Sequence, residues 1–168
     1  MARPYRAATR PRGRHRPVPP PLDDGERVLA TEGDGNGGSV VATTLAIYHR
    51  ANGSAWSRMG WEETGRMSWD ARRDRLDLAD LAVGHRLTLC VPRGLVALVR
   101  ERIGSTLLVS SRVAVTDDVT ALVVARRRPG SSDLVWVVAL DRDVDEEDPR
   151  VRAGVAAAIH RLRADIGV

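Results

Sequence analysis

The sequence contains no lysine and no phenylalanine, and its only cysteine is Cys90. A single thiol excludes an intramolecular disulfide and is typical of a reducing compartment, so we expect a cytoplasmic protein. The longest nearly uncharged apolar stretch, Ser39–Tyr48, has about ten residues, whereas a membrane-spanning helix needs roughly 20. The arginine-rich start of the chain, Met1–Pro21, lacks the apolar run of a secretory signal.

Basic charge is confined to arginine and is distributed unevenly. All 26 basic residues are arginines, and the first 22 residues contain no acid. The rest of the chain contains 20 arginines and 22 acidic residues, which gives it a net charge of −2. The pI near 10.4 therefore comes from the N-terminal segment and does not indicate a basic folded surface. The arginines of this segment are Arg3, Arg6, Arg10, Arg12, Arg14 and Arg16.

Residues 1–22 combine those six arginines with six prolines, three of them at Pro19–Pro21. Such a segment has little apolar area to bury, so we predict a disordered tail with polyproline II character. Its charge makes it a candidate for binding anions, either on DNA or RNA or at an anionic membrane. A solubilising extension without a ligand is the alternative interpretation.

Short β-type runs begin after Gly25, with turn residues between them. Gly33–Gly38 contains four glycines, and Asn52-Gly53 is typical of a hairpin turn. The apolar alternation predicts seven strands. They cover Glu26–Glu32, Ser39–Thr43, Leu45–His49, Trp56–Trp61, Gly65–Trp69, Leu76–Ala79 and Arg86–Val91.

Two amphipathic helices are predicted, each at the end of a β region. The first begins at Pro92 and extends to Ile103, and Gly104 is its stop residue. Its apolar residues Leu95, Val99 and Ile103 are directed toward the strands. Three further strands follow, and the last helix begins at the capping pair Asp148-Pro149. Those three strands cover Thr106–Val115, Thr120–Arg127 and Asp133–Leu140.

The first β region and its helix resemble the bacterial pleckstrin-homology-like domains. The segments with this resemblance are Glu26–Ala30, Val40–Tyr48, Gly60–Glu63 and Ser68–Asp70, and the order is similar to proteins of high-GC bacteria that carry a β-β-β-helix extension. After the tail over residues 1–22, the resemblance implies an α+β chain. Residues 23–104 would form a seven-stranded antiparallel barrel capped by one helix, and residues 105–168 a β-β-β-α extension that shares the same core or forms another.

The resemblance implies a shape that serves lipid, peptide or protein binding, and no particular activity. The phospholipid-binding members have a basic cluster between their first strands. This sequence has the glycine-rich Gly33–Gly38 there, so no phosphoinositide site is expected by that route.

Two motifs that suggest ligands have simpler explanations. Gly33-x-Gly35-x-x-Gly38 matches a dinucleotide fingerprint, but a β-type run follows it instead of the helix that must hold the pyrophosphate. The acidic run from Asp141 to Asp148 lacks the Gly and Glu that an EF-hand loop requires. We interpret the first as a hairpin and the second as acids that precede a helix N-terminus.

No catalytic constellation is visible. The four histidines, His15, His49, His85 and His160, are not spaced as metal ligands, and Cys90 lies in an apolar run that predicts a buried thiol. We therefore expect no cofactor and no metal, and we place the four tryptophans in the core or at its rim.

Three functions remain open at this point. The first is a non-enzymatic binding or adaptor module whose partner is a protein. The second is a nucleic-acid accessory protein that binds through the arginine tail. The third is a small enzyme, which the missing acid–base or nucleophile set disfavours but does not exclude, because active sites assemble from residues distant in sequence.

Overall fold

A computed structural model describes residues 19–81, 85–141 and 143–167. Over these ranges the chain is α+β, with ten strands in three antiparallel sheets and two helices. Alternating apolar residues form the strands as the sequence predicts, and each sheet is a run of consecutive strands joined by short turns.

The first sheet has the strand order β1-β2-β3-β4. The glycine-rich segment is a hairpin, as predicted: Gly35 has a φ of 75°, and Asp34 accepts hydrogen bonds from the backbone N–H groups of Asn36 and Gly38. Gly53, in the next hairpin, has a φ of 76°. The strands are β1 (Val28–Gly33), β2 (Ser39–Thr43), β3 (Ala46–Arg50) and β4 (Ser57–Gly60).

The second sheet and the first helix complete the larger core. Side chains from both sheets and from the helix form one hydrophobic cluster, in which Trp61, Leu76 and Val99 are fully buried. The strands of this sheet, in the order β5-β6-β7, and the helix are β5 (Thr64–Asp70), β6 (Arg75–Asp80), β7 (Arg86–Cys90) and α1 (Arg93–Thr106).

The prediction of a closed seven-stranded barrel is not met. Within the described ranges no ladder joins β4 to β5 or β7 to β1, so the seven strands form two open sheets over a shared core. Strand β4 ends at Gly60, whose N–H donates to the carboxylate of Glu63 at 2.6 Å. The indole of Trp61 fills the core there and donates to the carbonyl of Thr43 at 3.0 Å.

Helix α1 packs as predicted but ends later than predicted. Leu95 and Val99 are buried and Ile103 is partly buried against the same core. The helix continues past Gly104 to Thr106, and Pro92 is its N-cap. Thr106 donates through its hydroxyl to the carbonyl of Ile103 at 2.8 Å, which satisfies a terminal carbonyl group.

The third sheet, in the order β10-β9-β8, has its own core under the second helix. Asp148 caps that helix as predicted, because its carboxylate accepts a hydrogen bond from the N–H of Arg150 at 2.8 Å. Neither of the two described helices is long and apolar enough to cross a bilayer. The elements are β8 (Leu107–Ala114), β9 (Thr120–Arg127), β10 (Leu134–Ala139) and α2 (Pro149–Asp165).

The segment before β1 is attached to the first sheet by a buried carboxylate. Glu26 accepts hydrogen bonds from the hydroxyls of Thr43 and Tyr48 and from the N–H of Asp23. Burial alone raises the pKa of Glu26, but these hydrogen bonds outweigh it and leave the pKa below its ordinary value. Pro20, which the sequence analysis assigns to the tail, is buried.

Candidate functional site

An open cavity of about 290 Å³ lies between β5, the end of α1 and the start of β8. We call it the helix-end groove. Its apolar side chains come from all three elements, and its two charged side chains are both arginines. The lining residues are Met67, Trp69, Arg100, Ile103, Gly104, Leu107 and Arg126.

Strand and helix periodicity together place these residues in one groove. Met67 and Trp69 are two positions apart on β5 and therefore share a face, which packs partly against the main core. Arg100 and Ile103 are three positions apart on one flank of α1, and Leu107 follows the helix directly as the first residue of β8. Gly104 leaves room beside them, because a Cβ at this position meets no atom within 4 Å.

Arg126 is the distinctive residue of the groove. It lies on the central strand β9 and is 7% exposed. Its guanidinium Nη1 donates to the carbonyl of Ile103 at 2.9 Å and to the hydroxyl of Thr106 at 2.8 Å. Its Nε is buried and has no hydrogen-bond partner among the described residues. A cation is thus held against the end of α1, where the helix dipole is negative.

The charge of Arg126 is otherwise uncompensated. Over the described ranges, no carboxylate lies within ion-pair distance of it. Burial lowers the pKa of its guanidinium, although arginine remains charged near neutral pH. A buried charge without an ionic partner is costly. A carboxylate or phosphate in the groove would supply that partner and form charge-assisted hydrogen bonds.

The apolar character of the groove continues beyond the cavity. Leu107 and Leu108, at the start of β8, are 43% and 36% exposed. Met67 and Trp69 of β5 line the same cavity. The arrangement is therefore suited to a group that combines one negative charge with apolar surface.

A second charged surface lies on the outer face of the second sheet. Arg66 and Arg86 flank Ala79 in one cross-strand row, and Arg75 lies close by. Asp77 offsets part of this charge. Its carboxylate accepts from the Thr88 hydroxyl at 2.6 Å and from Arg75 Nε at 3.1 Å, and its pKa is lowered chiefly by the Thr88 hydrogen bond.

Those residues singled out from sequence that the structure describes do not assemble into a site. The six tail arginines lie outside the described residues. Cys90 is half-buried, whereas the sequence predicts a buried thiol. His49 contacts Asp34 at 3.1 Å, next to the first hairpin. In the part of the chain that the structure describes, no three His, Cys, Asp or Glu residues are grouped as metal ligands.

Sequence reasoning missed Trp69, Arg100 and Arg126 as members of one site. One signal was present: Arg126 follows the apolar run Ala121–Ala125, at a position that alternation directs to one face of β9. An arginine inside a central strand needs a partner, and here the partner is the end of α1.

Comparison with known protein families, with curated proteins and with solved structures finds no match for this chain. The resemblance to pleckstrin-homology-like domains therefore stays a prediction.

Proposed function

We propose that the chain is a non-enzymatic binding module for another protein. In this proposal the helix-end groove takes a segment of the partner that carries a carboxylate beside apolar side chains. The observation that supports it is the Arg126 guanidinium, buried without an ionic partner in the wall of an apolar groove. Arg100, on the groove's flank, adds a second positive charge for the same carboxylate.

The size and openness of the groove favour a protein segment over a small molecule. Its volume of about 290 Å³ is at the lower end of the range for small-molecule pockets. The exposed Leu107 and Leu108 extend the apolar surface beyond the cavity, as a binding surface for flanking residues does. A partner segment with one side chain anchored in the cavity, and with short contacts on either side of that anchor, fits this shape.

The proposal also includes the arrangement of the first seven strands. Four strands followed by three, with α1 packed against their shared core, support a pleckstrin-homology-like arrangement in which the two sheets stay open. The third sheet then acts as an addition that supplies Arg126 and one wall of the groove.

Selection from a displayed library of random heptapeptides tests the proposal. We expect the full chain to enrich peptides with Asp or Glu next to an aliphatic or aromatic residue. Arg100→Glu is expected to weaken binding of a selected peptide at least about tenfold in a calorimetric titration, since a hydrogen bond to a charged group contributes roughly 1.5–3 kcal/mol. The matched control is Arg93→Glu, which makes the same charge change on the same helix outside the groove.

Two outcomes contradict this function. One is enrichment of peptides without acids. The other is equal weakening by Arg100→Glu and Arg93→Glu, because a general charge effect acts on both variants.

Binding of nucleic acid through the tail is the second candidate, favoured by six arginines in a segment without acids. Arginines that contact phosphates carry no information on base edges, so we expect binding that does not depend on base sequence. The slope of log affinity against log salt on duplex DNA should be no steeper than about −5, since six phosphates each release roughly 0.9 counterion.

Titration of duplex DNA at two salt concentrations decides this candidate. Replacing the six tail arginines with Ser in the full chain is expected to abolish binding. Replacing Arg66, Arg75 and Arg86 with Ser, on the outer face of the second sheet, is expected to leave most of it. If binding is lost only when Arg66, Arg75 and Arg86 are replaced, the DNA contact lies on the second sheet and not on the tail. If the unaltered chain does not bind DNA, this second candidate function is wrong.

A further inference from the structure

The first sheet carries an apolar cluster on the face that points away from the main core. Val41 on β2 and Tyr48 on β3 are cross-strand partners, both are buried, and Trp56 packs against them. Their chain neighbours Ala42 and Ile47 belong to the main core, so strand alternation places Val41 and Tyr48 on the opposite face. The outer face of an antiparallel sheet is commonly polar and solvated, so an apolar cluster there needs a cover.

Two prolines of the N-terminal segment lie on this cluster. Pro20 is buried, and Pro19 and Pro20 line a cavity of about 120 Å³ together with Val41 and Trp56. Consecutive prolines have a fixed φ and favour the polyproline II conformation, in which their rings form an apolar surface. Grooves lined by aromatic residues are a recurring binding site for such segments. The other residues that line the cavity are Val28, Thr31 and Ser39.

The prolines and the residues after them are held in different ways. We call residues 19–27 the N-terminal strap. Its later part is held by polar contacts: Glu26 accepts a hydrogen bond from the Tyr48 hydroxyl at 2.9 Å, and the Asp23 carboxylate lies 3.6 Å from the Arg58 guanidinium. Proline has no backbone N–H to donate, so its ring is the part that packs on the sheet. Release of Pro20, six residues before Glu26, therefore leaves the Glu26 anchor intact.

We propose that the surface around Trp56 binds a proline-rich segment of a partner protein in the polyproline II conformation. Pro19 and Pro20 occupy this surface until the partner displaces them. The chain's own prolines identify the occupant, because the segment already seated there shows which chemistry the surface accepts. The guanidinium of Arg50 lies 4.8 Å from the centre of the Trp56 ring and supports the indole from the side of the sheet's next hairpin.

This surface is separate from the helix-end groove, since the two share no lining residue. The proposal therefore goes beyond the proposed function and does not depend on it. It also implies that the strap sets the affinity for the partner. A protein whose binding-competent state is only a fraction of the population binds more weakly in proportion to that fraction.

Titration of the full chain with decaproline, followed by NMR, tests the proposal. We expect decaproline to shift the amide signal of Val41 and the indole N–H signal of Trp56, while the amides of the third sheet stay unchanged. A Gly-Ser decapeptide of the same length is the control peptide, and we expect no shift from it, because it is flexible and lacks the proline rings.

Two variants of the strap test the competition. Pro20→Asp is expected to bind decaproline at least about threefold more tightly than the unaltered chain, because a carboxylate is disfavoured on the apolar cluster and leaves the surface open in a larger fraction of chains. Pro21→Asp is the matched control. It adds the same charge at the next residue, which is exposed, and should change the affinity by less than about twofold.

Three results overturn the proposal. The first is the absence of shifts at Val41 and Trp56 in both the unaltered chain and Pro20→Asp. The second is an equal response to the Gly-Ser peptide. The third is an equal change in affinity for Pro20→Asp and Pro21→Asp. If the Pro20→Asp chain does not fold, Pro20→Ser replaces it, since it removes the ring without adding a charge.

Discussion

Replacing Val99 with Asp is expected to remove most of the stability of the first two sheets. Val99 is fully buried between them, in the cluster that contains Trp61 and Leu76. An unpaired carboxylate at this position costs several kcal/mol, a large part of the roughly 5–15 kcal/mol that stabilises a typical domain. Chemical denaturation followed by circular dichroism measures the loss.

Ala97→Asp is the matched control for this substitution. Ala97 is exposed on the same helix, two residues away, so the same carboxylate stays hydrated there. We expect a change in the free energy of unfolding within about 1 kcal/mol, most of it from the lower helix propensity of Asp. Equal stability of Val99→Asp and the unaltered chain would mean that this face of α1 does not cover the core.

Gly154→Ala is expected to displace α2 from the third sheet. A Cβ added at Gly154 would lie 1.9 Å from the carbonyl oxygen of Val115 and 2.6 Å from its carbonyl carbon. Both are backbone atoms, so the helix itself must move. Overpacking of this kind typically costs 1–3 kcal/mol and more where the backbone cannot yield, which outweighs the gain of about 1 kcal/mol from the helix propensity of Ala. The free energy of unfolding from urea titrations measures the balance.

Gly94→Ala makes the same chemical change in α1 and is expected to act in the opposite direction. A Cβ at Gly94 meets no atom within 4 Å, and the residue is exposed. It should stabilise the chain by up to about 1 kcal/mol, because Ala loses less backbone entropy than Gly on forming a helix. A Gly154→Ala chain as stable as Gly94→Ala would disprove the close approach of α2 to Val115.

The secondary structure was predictable because the local pattern of each element agrees with its place in the fold. The predictions for β2, Ser39–Thr43, and β9, Thr120–Arg127, match the structure, and the other strands differ only at their ends. The end of α1 was not predictable from local sequence. Gly104 is a common stop residue, but Arg126, 20 or more residues further along, binds the last turn and lets the helix reach Thr106.

Closure of the barrel and the presence of the groove depend on contacts between distant residues. Alternation in β5 fixes which side chains share a face but not whether the strand pairs with β4, so the two open sheets could not be distinguished from a barrel. Trp69, Arg100 and Arg126 lie on three different elements. The sequence shows the character of each residue, and only the packing of the third sheet on α1 brings them together.

The contact between the third sheet and the preceding part of the chain has a consequence for folding kinetics. Each sheet consists of hairpins whose contacts are local in sequence, whereas the Arg128 Nε to Glu62 Oε1 contact of 3.1 Å joins residues 66 positions apart. Local hairpins close faster than long loops. We therefore expect the first two sheets to fold as they leave the ribosome and the third to dock last, so that the groove exists only once synthesis has passed β9.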